Sequence, residues 1–214
     1  MGRFGDHAEV CCCGGDRVVR HNAIRDGCFH ELKAGLISVE REKAGLLPVR
    51  SPDEGLPGSA QGRRPADLFI TRTAAPLAVD FAVASGIQQS LLASPTWDES
   101  AFIQNCEDWK IAYKDTGQQC AAQSIAFLPA IVEAHGGGMS LKLRQLFSQL
   151  AKEAAPALNR DPEAVSLRIA QRISCSLRRE IARAVFHRRG HTLTEGADAG
   201  WDAVPESLRE AGMP

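Results

Sequence analysis

The chain has 214 residues, enough for one domain with a sizeable core and some appendages. Apolar residues make up 44% and charged residues 24%, a balance that excludes an intrinsically disordered chain. The formal net charge of −1 names no partner by itself, so a polyanion would have to meet a local patch.

Residues 1–17 are rich in Cys and Gly and cannot form a core alone. They contain no apolar run of the kind that marks a secretory leader, and position 6 lacks the Ser or Thr of a myristoylation signal. No apolar stretch reaches the 18 residues expected of a membrane-spanning helix. The seven cysteines, three of them adjacent at Cys11, Cys12 and Cys13, make a poor disulfide framework. They fit a reducing compartment, with metal binding as the other use of such a cluster.

Residues 18–34 have a helical period, with Val19, Ala23, Cys28 and Leu32 on one stripe, and Gly35 as the expected stop. Residues 36–41 alternate and predict a strand. Residues 44–64 hold four Gly and three Pro, which predicts a long loop. Two further strands are expected at 67–71 and 77–83, joined through a turn at Thr73 to Pro76. Residues 97–119 predict one long helix. Residues 125–133 predict a strand, and Pro129 within it suggests an edge or a bulge. Gly136, Gly137 and Gly138 break the chain.

Two helices are expected to follow, at 141–154 and 161–187. In the second, Val165, Ile169, Ile173, Leu177, Ile181 and Val185 recur every four residues and form one buried stripe. Arg168, Arg172, Arg179 and Arg183 fall on another face. Residues 142–189 hold 11 basic and 4 acidic side chains, whereas the segment after Gly190 has one Arg against five acids. This asymmetry fits either a phosphate-binding face or an ordinary solvated helix face. The element order is helix, three strands, helix, strand, helices: an α/β fold in which a strand meander is flanked by helices.

The sharpest cluster of chemistry is Asp67, Asp80, Lys110 and Tyr113. A hairpin between the strands carrying Asp67 and Asp80 would bring both carboxylates to one end of a sheet. Two carboxylates held close are costly unless one is protonated or a cation binds them. Mg²⁺ suits such a pair, because water fills the rest of its shell. A nearby lysine could orient a water or steady a transition state. Glu40, on the first strand, is a candidate third carboxylate. Lys110 and Tyr113 lie three apart on one helix face, which Glu107 shares. Surface acids and an ordinary Glu–Lys helix pair are the plainer alternative.

The stretch RRPADLFI…PLAVDFAV followed by EDWKIAY resembles the restriction-like, PD-(D/E)XK-type endonuclease at the C-terminal end of non-LTR retrotransposon reverse transcriptase polyproteins. That family has a Pro-Asp pair, a second Asp about a dozen residues later, and Lys-x-x-Tyr on the next helix. RVVRHNAIRD, VEREKAG, FLPAIVEAHGG and QRISCSLRREIA resemble the same regions in the same order, across roughly Gly5 to Arg189. The resemblance implies a core of helix, three-strand meander, helix and strand, with added C-terminal helices. It implies Asp67, Asp80 and, less directly, Glu40 as ligands of Mg²⁺ or Mn²⁺. Lys110 would be the catalytic lysine and Tyr113 its companion. The family's usual lysine position, two after the second acid, is Ala82 here, and Pro-Ala-Asp stands where the family has Pro-Asp.

The same resemblance implies that residues 1–17 are the remnant of a Cys/His zinc finger. His7, Cys11, Cys12, Cys13 and His21 are then the candidate Zn²⁺ ligands. The missing first Cys pair would lie before Met1, making the chain a fragment. His21 could instead cap or buttress the first helix. Residues 18–189 would be the nuclease domain, and 190–214 an acidic, flexible tail. The expected activity is nicking of target DNA, with Arg63, Arg64, Arg168, Arg172, Arg179 and Arg183 contacting its backbone. The other expected partners are the element RNA or the upstream reverse transcriptase region, in the nucleus and with no membrane. A catalytically decayed nucleic-acid-binding relic is the alternative.

The remaining signals carry less. His135-Gly136-Gly137-Gly138 lacks the Gly-x-Ser-x-Gly elbow that an esterase would need. Glu133 or His135 could edge the nuclease site. Cys28, Cys106, Cys120 and Cys175 are expected in or near the core, and Trp97 and Trp109 are expected to pack their helix rather than stack on bases.

Overall fold

A computed structural model describes residues 15–48, 64–71, 75–85, 98–135 and 137–188. The first helix, α1, spans Asp16–Ala34. Strands β1 (Val39–Arg41), β2 (Leu68–Ile70) and β3 (Leu77–Ala84) follow. Helix α2 (Glu99–Ala112) leads through a turn at Tyr113–Asp115 into α3 (Thr116–Ala122). Strand β4 (Ala126–Glu133) and helices α4 (Leu141–Leu158) and α5 (Pro162–Arg188) complete the order. The strands form one mixed sheet in the order β1-β2-β3-β4. The first three are antiparallel, and β4 pairs parallel to β3 without interruption from Leu77↔Ala126 to Ala84↔Glu133. The fold is α/β with a four-stranded mixed sheet, in the element order that the sequence predicts.

Alternation along the strands divides the core into two layers. Leu68, Ile70, Leu77, Val79 and Phe81 face α1, α4 and α5 in the larger layer. Phe69 and Ala78 pack with Cys120 and Ile125 on the opposite face, while Ile131 packs there with Phe102 and Ile103 of α2. The α5 stripe follows its four-residue spacing through Val165, Ile169, Ile173, Leu177 and Ile181, all buried, but at its end Ala184 is buried and Val185 is only half-buried. Pro129 lies in an edge strand, where a missing N–H is tolerated, and no bulge accompanies it. Among the described residues no helix is long and apolar enough to cross a membrane.

Several local expectations are corrected. The helix expected at 97–119 is broken, because Lys114 and Asp115 adopt left-handed backbone angles (φ 52° and 55°). The break turns α3 back so that Cys120 reaches the core. The buried stripe of α1 is Ile24, Cys28 and Leu32, whereas Val19 is 41% exposed. Polar groups take other inward positions of this helix because it meets α5 through ion pairs: Glu31 with Arg168 at 2.7 Å, and Asp16 with Arg183 at 3.0 Å. Cys175 is exposed, while Cys28 and Cys120 are buried and Cys106 is intermediate. Burial pushes the Cys28 thiol up to about 12, with a smaller contribution from the charge of Glu31.

Gly35 ends α1 for a reason the sequence does not reveal. Its own φ is −80°, and the left-handed residue is the next one, Leu36, at φ 59°. This turn shortens the strand expected at 36–41 to three residues. What Gly35 supplies is room, since a Cβ there would lie 2.4 Å from the Cβ of Ala154 on α4. Gly35→Ala should therefore destabilise the fold by about 1–3 kcal/mol through overpacking. Ala154→Gly in the same chain should recover part of that loss. Thermal denaturation of the two variants checks this, and no recovery in the double variant would refute the steric account.

Candidate active site

The β2–β3 register creates the site. Leu68 pairs with Val79, and the N–H of Asp67, just before β2, donates to the same Val79 carbonyl at 3.0 Å, which sets Asp67 beside the stretch of β3 that carries Asp80. Alternation along β3 puts the Asp80 side chain on the face that carries Ala78, whereas Asp67 lies just before β2 and its carboxylate meets His21 of α1. The two carboxyl groups lie close enough for Asp67 to disfavour ionisation of Asp80. The Asp67 carboxylate accepts from His21 Nε2 at 2.9 Å through one oxygen and from the Phe81 N–H at 2.6 Å through the other. Lys110 Nζ, reaching in from α2, donates to Asp80 Oδ2 at 2.5 Å and to the Phe81 carbonyl at 3.2 Å. The expected convergence of Asp67, Asp80 and Lys110 is thus present.

The two acids titrate in opposite directions. Burial pushes the Asp80 carboxyl up to about 6; the Lys110 amine opposes this, while the charge and hydrogen bond of Asp67 add to it. Burial pushes Asp67 upward too, but hydrogen bonding and charge from His21, the Phe81 N–H and the charge of Lys110 outweigh it and hold Asp67 below its ordinary value. One oxygen-rich pair therefore holds one firmly ionised carboxylate and one that resists ionisation, the situation a bound cation relieves.

His21 is the residue whose role sequence reasoning missed. The sequence offers it to zinc or to the first helix, but its Nε2 is committed to Asp67. One signal was present: His21 precedes the buried Ile24 by three and Cys28 by seven, which puts it on the inward face of α1. Glu40 does not join the site. It pairs across β1–β2 with Phe69, two residues beyond Asp67, and its carboxylate holds Lys43 at 2.6 Å. The β1-side acid beside Asp67 is instead Glu42, whose N–H donates to the Asp67 carbonyl at 2.9 Å. Arg25 and Arg64 both pair with the Glu42 carboxylate.

Tyr113 is also displaced from its expected place at the lysine. It lies half-exposed in the turn after α2 and stacks on Trp109. Trp109 is 60% exposed, which overturns the expectation that it packs its helix. Glu107 is 2% exposed; one of its oxygens holds Lys142 at 2.6 Å and the other has no hydrogen-bond partner among the described residues. Glu133 pairs with Ala84, four residues along β3 from Asp80, which puts it roughly 13 Å away and off the site's edge. His7, Cys11, Cys12, Cys13, Arg63, Trp97 and the 190–214 tail lie outside the described residues. Among the described residues, no three His, Cys, Asp or Glu side chains are grouped to hold a metal ion.

No protein-family model matches this chain, and no curated protein is significantly similar to it. The site is therefore read from its own geometry.

The arginine face of α5 is divided. Arg168 is tied to Glu31, and Arg183 to both Asp16 and Glu180. Hydrogen bonding to Glu180 leads the causes that raise the Arg183 pKa. Arg172 and Arg179 are exposed, Arg179 with a long contact to Glu180 at 3.3 Å. Arg183→Ala should destabilise the fold by about 1–3 kcal/mol, because it strips the cation from two buried acids. Arg172→Ala should stay within about 0.5 kcal/mol of wild type. Chemical denaturation of both variants is the check, and equal losses would show that the pairing with α1 does not divide the face.

The carboxyl pair also predicts a pH signature in chelator. Because the folded pKa of Asp80 is raised, its burial penalty is absent at low pH and grows as pH rises from about 4 to about 6. Asp67 acts in the other sense: its contribution is complete at neutral pH and fades as pH falls below the ordinary aspartate range. Relative to Asp80→Asn, the wild type should lose on the order of 2–3 kcal/mol across that window. Parallel stability curves for the two proteins would show that Asp80 is not the titrating group.

Proposed function

We propose that this chain is a metal-dependent DNA endonuclease domain with a restriction-endonuclease-like, PD-(D/E)XK-type core, which nicks target DNA by hydrolysing a phosphodiester bond. The observation that carries the reading is the approach of the Asp67 and Asp80 carboxyl groups while Lys110 Nζ stands 2.5 Å from Asp80. Resemblance to the nuclease of non-LTR retrotransposon polyproteins extends the proposal to a nuclear protein acting beside a reverse transcriptase region and its element RNA.

The donor set fits a hard divalent cation. Asp67 and Asp80 would hold Mg²⁺ or Mn²⁺, with water completing the shell, as Mg²⁺ commonly requires. Bound there, the cation supplies charge neutralisation at the phosphodiester and a more acidic water. The chain's own groups do the rest. His21 and the Phe81 N–H engage both oxygens of Asp67 and so fix its orientation before substrate arrives. Lys110 offers N–H donors to the negative charge that develops on the phosphate. Of the four α5 arginines expected to contact a DNA backbone, Arg172 and Arg179 are the exposed ones.

The test is nicking of supercoiled plasmid. Wild type should nick with Mg²⁺ or Mn²⁺ and stop with chelator, Asp80→Ala should be inactive, and Lys110→Ala should be slower by roughly 100-fold or more. Equal nicking by wild type and Asp80→Ala would reject the assigned site. DNA binding without metal-dependent nicking by the wild type would instead leave a nucleic-acid-binding relic.

A further inference from the structure

Three features of α2 and the turn after it have no part in the chemistry above: the half-paired carboxylate of Glu107, the amine of Lys114, and the aromatic pair of Trp109 and Tyr113. The pair offers the firmest geometry. Its rings stack with centroids 4.8 Å apart and planes 29° from parallel. Trp109 is 60% exposed and Tyr113 49%. They are four residues apart, so a helical turn followed by the tight turn at Tyr113 holds them together. Isolated apolar side chains on a surface need no explanation, but two large rings already stacked on one another form an ordered π surface.

The surroundings indicate what that surface takes. The Lys114 amine lies over the Tyr113 ring, 5.6 Å from its centre, which puts a cation against the platform. Lys110, next in sequence to Trp109, has its amine on Asp80. A flat aromatic surface beside a cation, one residue from a carboxylate–lysine site, matches a nucleotide: a base to stack and a phosphate to neutralise. Paired bases in a duplex keep their faces covered by their neighbours, so only an unpaired base can be received. We infer that Trp109 and Tyr113 form a stacking platform for an unpaired base of a DNA strand, beside the site where the strand is cut. The inference rests on the proposed endonuclease function for its choice of DNA.

This assignment gives the two aromatics a positioning role. A base held on the platform would fix the reach of its strand toward Lys110, and frayed or single-stranded DNA would be held better than intact duplex. Tyr113 then acts through the strand it holds and not on the reacting phosphate.

The experiment uses the full chain in chelator, so that no strand is cut. The probes are short single-stranded DNA oligonucleotides carrying one 2-aminopurine at successive positions, with matching oligonucleotides that are abasic there. Wild type should quench 2-aminopurine at one or two positions and bind the matching abasic strand more weakly. Trp109→Ala and Tyr113→Ala should each lose the quenching and raise Kd by about 5- to 150-fold. Trp109→Phe should keep most of both, and all three should melt at the wild-type temperature because the rings are exposed. Asp80→Ala, assayed alongside, should quench as wild type does, so platform and cutting site can fail separately. Undiminished affinity of Trp109→Ala, or equal binding of abasic strands, would overturn the inference. So would loss of self-association in Trp109→Ala with unchanged DNA affinity, since the pair would then bury a second copy of the chain.

Discussion

Two carboxyl groups held close together at one end of the β2–β3 pair are the constraint around which much of this molecule is arranged. Asp67, just before β2, and Asp80, on β3, lie close together in a partly buried setting. Left to themselves, they would repel and lose hydration together. The chain answers from both sides of the sheet: His21 comes from α1 and Lys110 from α2, and the Phe81 peptide serves both. The site is therefore where the two helical layers meet through the sheet, and its geometry depends on both being docked.

The two layers dock differently. The layer of α1, α4 and α5 buries a continuous apolar stripe but joins α1 to α5 with ion pairs at either end, through Glu31 and Asp16. Arginines that look available to DNA in a helical projection are thus partly consumed in holding α1, the helix that carries His21. The layer of α2 and α3 is thinner and packs through two small apolar clusters. It keeps Lys110 on the sheet and leaves Trp109 and Tyr113 outside.

The sequence made the elements that depend on local rules readable. The four-residue ladder of α5, the alternation of β3 and the order of strands and helices all follow from short-range patterns, and they place Asp67, Asp80 and Lys110 without any long-range information. What escaped it depends on partners distant in sequence. His21 lies 46 residues from Asp67 and Arg168 lies 137 residues from Glu31, so neither pairing leaves a local trace. Glu40 was mistaken because alternation chooses a face but not a position along the strand. The break at Lys114 was hidden because neither Lys nor Asp advertises a left-handed backbone as Gly does. Gly35 reads as a helix stop, yet its requirement comes from Ala154 on another helix.

The Phe81 peptide gives the fold a further property. Its N–H is held by Asp67 and its carbonyl by Lys110, while its side chain is buried in the larger core layer. A slip of β3 by a single residue would send Asp80 to the opposite face and Phe81 out of the core at once. No partly shifted strand can keep a damaged version of the site, so the carboxyl pair and the hydrophobic core stand or fall in one cooperative unit. The amide proton of Phe81 reports on that unit: its exchange with solvent deuterium tracks opening of the central sheet, and the same event dismantles the carboxyl pair.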